Sequence, residues 1–316
     1  MHHPAATPVT PSPARRTVAK AAAAAGFAAL FGAAATARAQ AATQISARTL
    51  DISVTSSALR RGAPVRVILP TAYAAQPNRT WPVLYLLHGA HDDYTSWTRE
   101  TDIEAFTEGL DLIVAMPDAG PTGIPTKWLD GTDYEAFQLT EVPAVLRGTY
   151  RASAVRAVAG VSTGGYGAMA HAARNPGAFT AAASYSGILD TTLLGVPTIV
   201  DAIVARENLS AWSLWGNPIL QLLTWNSFNP RSRATGLRGT PLYVSQGSGL
   251  AGGLGDWLPE ALESALWPCA HSFTALLGLL GIPVTTHYYS GGGHSWEYWK
   301  KEFTTSWPIL AAALGI

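Results

Sequence analysis

Gly160-Val161-Ser162-Thr163-Gly164 is a G-x-S-x-G pentapeptide set between an apolar run and a helix-compatible one. Upstream, VRAVAG (155–160) has the length and β-branched content of a buried parallel strand. Downstream, TGGYGAMAHAARNPGAF (163–179) reads as a helix that stops near Pro176. A strand-to-helix turn this tight needs glycine on both flanks, so that the backbone can fold back and lift the serine oxygen clear of the sheet. Ser162 is therefore the candidate nucleophile. The strand-turn-helix setting carries that reading more than the pentapeptide does, because a chain with 30 glycines offers such patterns by chance.

Outward from this turn, apolar runs of strand character alternate with helical stretches. TLDISVTS (49–56), APVRVILP (63–70) and WPVLYLLHG (81–89) precede it, followed by LDLIVAMPDAG (110–120) and a helical DYEAFQLTEVPAVLRGTY (133–150). TAAASYSG (180–187), TPLYVSQGSG (240–249) and PVTTHYYSGGGH (283–294) come after it. This alternation predicts an α/β fold, with a mostly parallel sheet covered by helices on both faces. Ligands of such sheets bind beyond the carboxyl ends of the strands, where Ser162, His88, the Gly247–Gly249 loop and His294 would meet. Between Leu189 and Arg238 the pattern loosens into a small helical cap insertion containing Trp212, Trp215 and Trp225. Those rings would either line an acyl channel or seal the cap onto the body; aromatic clusters favour the second.

The chain has 316 residues, 48% of them hydrophobic, which is enough for a large core. Its formal net charge is zero with only 13% charged residues, so no basic stripe is available for nucleic acid. The single cysteine, Cys269, excludes an intrachain disulfide and reads as a small buried hydrophobe. Arg15, Arg16 and Lys20, the uncharged Ala-rich run 21–35 and small-residue sites around Ala39 make residues 1–41 a signal peptide by composition, resembling the twin-arginine type. The competing reading is a disordered tail. The apolar run is too short for a permanent membrane anchor, which leaves residues 42–316 as one catalytic domain, secreted or in the cell envelope.

A serine hydroxyl needs a base, and the base needs an orienting group. His294 sits in a glycine-rich loop just after the last strand, in the chain position from which a histidine can reach back over Ser162. His171, His271 and His287 lie in helical or strand stretches and read as packing or surface residues. The acid should fall between Ser162 and His294, beyond the strand ending at Gly249, and Asp256, Glu260 and Glu263 all qualify. On a helical wheel Leu258, Ala261, Leu262, Ala265 and Leu266 form an apolar face, leaving Glu260 and Glu263 on the polar side. Spacing does not choose among the three carboxylates. Oxyanion donors are expected from the Thr163 N–H, which follows the nucleophile, and from the Ala90 N–H, in the turn after LLHG. His88, His91, Asp92 and Asp93 lack a metal-ligand spacing, so neither a metal nor a cofactor is expected.

LLHGAHDDYTSW (86–97), GVSTGGYGAMA (160–170), SGILD (186–190), LWGNP (214–218), ALESALWPCAHSF (261–273) and GGGHSWEYW (291–299) resemble successive motifs of the antigen 85 type of secreted mycolyltransferases and esterases. The resemblance covers most of the chain after residue 60 and implies an α/β-hydrolase fold. It also implies a triad of Ser162, Glu263 and His294, and it is what selects Glu263. The implied reaction is ping-pong transfer of an acyl, mycolyl-like group from an acyl ester or glycolipid to trehalose, another cell-wall sugar or water. Trp296 resembles the sugar-site tryptophan of the family. Where mycobacterial members read LLDG with an arginine soon after, this chain has His88 and a shorter loop with His91 as the substrate contacts. Related esterases with LLHG hydrolyse simple esters, so a plain secreted carboxylesterase is the alternative. A noncatalytic glycan-binding relative is the alternative from another class.

Overall fold

Strand β4 (Trp81–Leu87) shows how this sequence builds its sheet. Val83, Tyr85 and Leu87 face one core, while Leu84 and Leu86 face another, because successive side chains alternate across a strand. A strand covered on both faces must be apolar throughout, as WPVLYLL is. The computed structural model describes residues 1–2, 39–249 and 257–316. Residues 37–316 form one compact unit, and most of the expected leader lies outside the described residues.

Among the described residues nine strands form one sheet, in the order β1-β2-β3-β5-β4-β6-β7-β8-β9. β1 (Ala39–Gln44), β2 (Thr49–Ser56) and β3 (Arg61–Ile68) pair antiparallel at one end. β5 (Ile113–Pro117), β4, β6 (Ala152–Val161), β7 (Ala181–Tyr185), β8 (Leu242–Gly247) and β9 (Thr285–Tyr289) run parallel. Helices α1 (Ser96–Glu100), α2 (Ile103–Phe106) and α9 (Trp296–Leu314) cover one face. The other is covered by α3 (Tyr134–Ala136), α4 (Val142–Tyr150), α5 (Thr163–Arg174) and α8 (Trp257–Leu279). This is the α/β-hydrolase fold.

Strand order reverses between β4, whose parallel neighbour β5 lies on one side, and β6, from which the sheet grows the other way. The resulting crevice at the carboxyl ends of β4 and β6 is where such sheets bind ligands. Between β7 and β8 the chain makes α6 (Val196–Arg206), α7 (Leu222–Phe228) and a 3₁₀ turn (Ala234–Leu237). The two ends of this insertion are tied together at buried Asp190, whose carboxylate accepts from Asn229 Nδ2 at 3.0 Å and Ser272 Oγ at 2.7 Å. Trp215 and Trp225 are buried edge-to-face with ring centroids 5.0 Å apart, so they seal the insertion to the body. Cys269 is buried in the same cluster, and burial pushes its thiol up to about 12.

Two elements depart from the sequence reading. β1 begins at Ala39, inside the stretch read as leader; its AQAATQ sequence has no run of large apolar residues to mark a strand, and it joins the sheet by backbone pairing with β2. The expected helix over 133–150 is interrupted by a π-turn at Phe137–Glu141, just before Pro143, whose ring cannot continue a regular α ladder. Glu141, at the end of that turn, accepts from the Ser57 and Ala58 N–H groups at 2.9 and 3.1 Å.

Candidate active site

Ser162 sits between β6 and α5 with φ +54° and ψ −120°, a conformation rarely adopted by side-chain-bearing residues. The flanking glycines are required by contact. A Cβ at Gly160 would lie 2.2 Å from the Gly164 carbonyl oxygen, and one at Gly164 would lie 2.5 Å from the His88 carbonyl oxygen. Only glycine lets the turn close this tightly while α5 packs against the end of β4. The Ser162 N–H donates to the Tyr185 carbonyl at 2.9 Å, and its own carbonyl accepts from the Tyr166 N–H at 3.0 Å.

His294 approaches from the loop between β9 and α9, with its N–H bonded to the Pro259 carbonyl at 3.1 Å. Its Nε2 lies 2.7 Å from Ser162 Oγ and its Nδ1 lies 2.8 Å from Glu263 Oε2. With the Nδ1 proton on the glutamate side, Nε2 is free to accept from the serine hydroxyl. Glu263 is completely buried on α8. Its Oε1 accepts from Ser186 Oγ and from the Gly247 N–H, both at 2.8 Å. Three donors therefore hold the carboxylate, which is what makes a buried carboxylate tolerable. Glu260 is partly exposed and joins none of these bonds, and Asp256 lies outside the described residues.

The wheel drawn for α8 needs correction. Leu258 is 56% exposed, and Ala261 and Ala265 also face out, whereas Glu263, Leu266, Cys269, Ala270 and Phe273 face in. Hydrogen bonding at Glu263 outweighs the modest transfer energy of two alanines, so the buried side of α8 is turned to take in Glu263 together with Leu266 and leaves Ala261 and Ala265 outside.

Gly89 packs against Ser162; a Cβ built on it would be 3.4 Å from Ser162 Cβ. The next amide is that of Ala90, and α5 begins with the amide of Thr163. Neither N–H has an acceptor among the described residues, and both belong to the turns that flank Ser162. The loop carrying Ala90 is pinned on both sides. The His91 N–H donates to the Pro121 carbonyl at 2.7 Å, and Trp97 Nε1 donates to the Leu87 carbonyl at 3.1 Å.

His88 does not face substrate. It is 1% exposed, its Nε2 accepts from the Ala119 N–H at 3.0 Å, and its Nδ1 is 2.9 Å from the Gly89 carbonyl. Both ring nitrogens are therefore used inside the protein, where they brace the Ala90 turn. His91 does line the cleft, but its ring is paired with Glu207 at the end of α6. Trp296 lines the cleft as well and packs edge-on to Trp97 at 5.1 Å.

The cleft over Ser162 has a volume of about 590 Å³. Ile199, Ala202 and Ile203 of α6 and Leu258 and Leu262 of α8 make an apolar wall, and none of Trp212, Trp215 and Trp225 contributes. Two residues escaped the sequence reading. Ser186 donates to Glu263 and accepts from Trp299 Nε1 at 3.0 Å, and the Trp299 ring stands edge-on to His294 at 5.0 Å. The available signals were the position of Ser186 just past the end of β7 and the second tryptophan of HSWEYW.

A model of the Esterase family matches residues 56–309. An esterase of Mycobacterium tuberculosis is 28% identical over 247 residues, covering 75% of this chain and 54% of that protein, so the match spans about half of that relative's length. The diacylglycerol acyltransferase/mycolyltransferase Ag85B of Mycobacterium intracellulare is 27% identical over 258 residues, covering 74% of this chain and 76% of its own. Among solved structures, MPT51 (FbpC1) of Mycobacterium tuberculosis superposes with a TM-score of 0.71 at 21% identity, over 85% of this chain and 100% of that one. An S-formylglutathione hydrolase from Agrobacterium tumefaciens gives 0.68 at 16% identity, over 88% and 99%. The chain thus belongs to the Esterase family, with antigen 85-type proteins among its relatives.

Proposed function

We propose that this protein is a serine ester hydrolase/acyltransferase that works through an acyl-Ser162 intermediate. The observation that carries the reading is the unbroken hydrogen-bonded line from Glu263 through His294 to Ser162, at 2.8 and 2.7 Å. His294 Nε2 takes the Ser162 proton as Oγ attacks the ester carbonyl, and Glu263 stabilises the imidazolium that forms. The Ala90 and Thr163 N–H groups receive the negative charge on the carbonyl oxygen; each such donor is worth about 3 kcal/mol in the transition state. The imidazolium then returns the proton to the departing alkoxide, leaving the acyl group on Ser162. A second nucleophile, deprotonated by the same imidazole, releases the acyl group. The acyl chain lies along Ile199, Ile203 and Leu262.

Water is the acceptor we favour. Of the positions that the antigen 85 resemblance marks for sugar contact, His88 is buried and His91 is paired with Glu207. Transfer to trehalose or another sugar hydroxyl is the second reading, supported by Trp296 on the cleft wall and by a mycolyltransferase among the relatives. A fluorophosphonate should label Ser162 stoichiometrically, and Ser162→Ala should abolish both labelling and ester turnover. Full turnover by that variant defeats the reading. Product analysis with short and long acyl esters, with and without trehalose, separates hydrolysis from transfer. The 1–41 leader is read as an export signal, which N-terminal sequencing of protein recovered from culture medium tests.

A further inference from the structure

The insertion between β7 and β8 holds a feature that the ester chemistry does not use. From Asn208 to Pro230 no residue carries a charge. Within that run, the turn entering α7 exposes Ile219 at 83%, Leu220 at 80% and Leu223 at 86%, with Leu222 at 48%. Near-neighbours this exposed project in different directions, so they form a protruding tip instead of a flat face. The tip is held rigidly. Asn217 Oδ1 accepts from the Ile219 and Leu220 N–H groups at 2.9 and 3.1 Å, and the Gln221 N–H donates to the Asn217 carbonyl at 2.8 Å. Behind it, Trp225 is buried and donates through Nε1 to the Gly216 carbonyl at 3.0 Å. The fold thus fixes a turn whose outward side chains are aliphatic apart from the uncharged Gln221, and clustered exposed apolar surface marks an interaction site.

We propose that this tip is a lipid-surface anchor, with Ile219, Leu220 and Leu223 entering the acyl region of a bilayer or lipid aggregate. Side chains exposed on several sides at once would need a deep socket in a folded partner, whereas fluid hydrocarbon closes around them without one. The missing charges matter equally, because a charged side chain near the tip would have to be desolvated on insertion. Trp212, 46% exposed in the same uncharged run, suits the headgroup level, where indoles collect at membrane interfaces. The proposal stands independently of the esterase reading, since it concerns binding alone.

The test is co-sedimentation of the full chain with phosphatidylcholine vesicles, alone and with added phosphatidylglycerol. The comparison is an Ile219→Gln/Leu220→Gln/Leu223→Gln variant that keeps the same N-terminal apolar run. The wild type should pellet with vesicles of both compositions, and the variant should partition at least tenfold more weakly at an unchanged thermal midpoint. Leu223→Gln alone, expected to bind severalfold more weakly, serves if the triple variant fails to fold. A wild type that stays in the supernatant, or variants that pellet as well as it does, overturns the proposal. So does a wild-type dimer in sedimentation velocity that the substitutions convert to monomer, because a second copy of the chain would then be what covers the tip.

Discussion

Glu263 separates what hydrogen bonding does from what charge does. A glutamine at this position fills the same space, and its amide oxygen can still accept from Ser186 and Gly247, but it carries no charge to set against an imidazolium. Glu263→Gln is therefore expected to lower kcat by on the order of 10³–10⁴ with little change in KM, as read by steady-state kinetics on a short-chain ester. A loss under tenfold would show that the carboxylate is not what supports His294. Ser186→Ala acts one step further out, removing a donor from Glu263 and leaving Trp299 Nε1 buried without its acceptor. It should cost about 1–3 kcal/mol in a urea titration, from the unsatisfied group, and slow turnover roughly tenfold as the imidazole loses its fixed orientation. Ser162 and His294 were legible in the sequence because each stands in a glycine context with a local geometric purpose. Ser186 was not, since nothing near it in sequence tells that its hydroxyl lies between a carboxylate and an indole contributed by two later helices.

The turn joining β6 to α5 is the element on which the site depends, and its glycines are positions where a methyl group has no room. In Gly160→Ala the new carbon would meet the Gly164 carbonyl, a backbone atom that cannot swing away as a long side chain can. The expected loss is about 3 kcal/mol or more, together with displaced Ser162 geometry, so the thermal midpoint and kcat should fall in the same variant. Unchanged stability would mean that the elbow relaxes more easily than its packing implies. Strands buried on both faces, such as β4 and β5, were readable from composition alone, because a doubly covered strand must be apolar from end to end. β1 was not readable, since an edge strand held by backbone pairing needs no pattern in its side chains. The buried face of α8 was misread for a related reason: periodicity counts apolar residues and cannot see that a glutamate has three donors waiting for it.

Across the whole molecule the sheet separates two apolar layers, and α5 fills the centre of one of them with His171 in its path. His171 is 2% exposed, and its Nε2 lies 3.0 Å from Gln138 Oε1. Burial disfavours the imidazolium most, and with nearby Arg174 outweighs the attraction of Glu135, so the imidazole titrates at about 4 instead of 6.5. As pH falls below 6.5 the unfolded chain binds a proton that the folded chain refuses until about 4, so each step of acidification favours unfolding. The neutral state of His171 thus contributes stability that is fully present above pH 6.5 and is lost by pH 4, about 3 kcal/mol in all and about 2 kcal/mol between pH 6.5 and 5. Burial opposes the ionisation of Glu135, but the Arg174 charge and hydrogen bonds from Arg174 and Asn175 hold it below the ordinary carboxylate range, so it adds acid sensitivity of the same sign at pH values under 4.5. Of these two groups, His171 is the one that acts between pH 7 and 5. Urea midpoints of the wild type should drop across that interval, and His171→Gln, which cannot take up the proton in either state, should remove most of the drop even if it lowers stability at pH 7. A variant whose midpoint falls as steeply as that of the wild type would assign the acid sensitivity of this fold to another group.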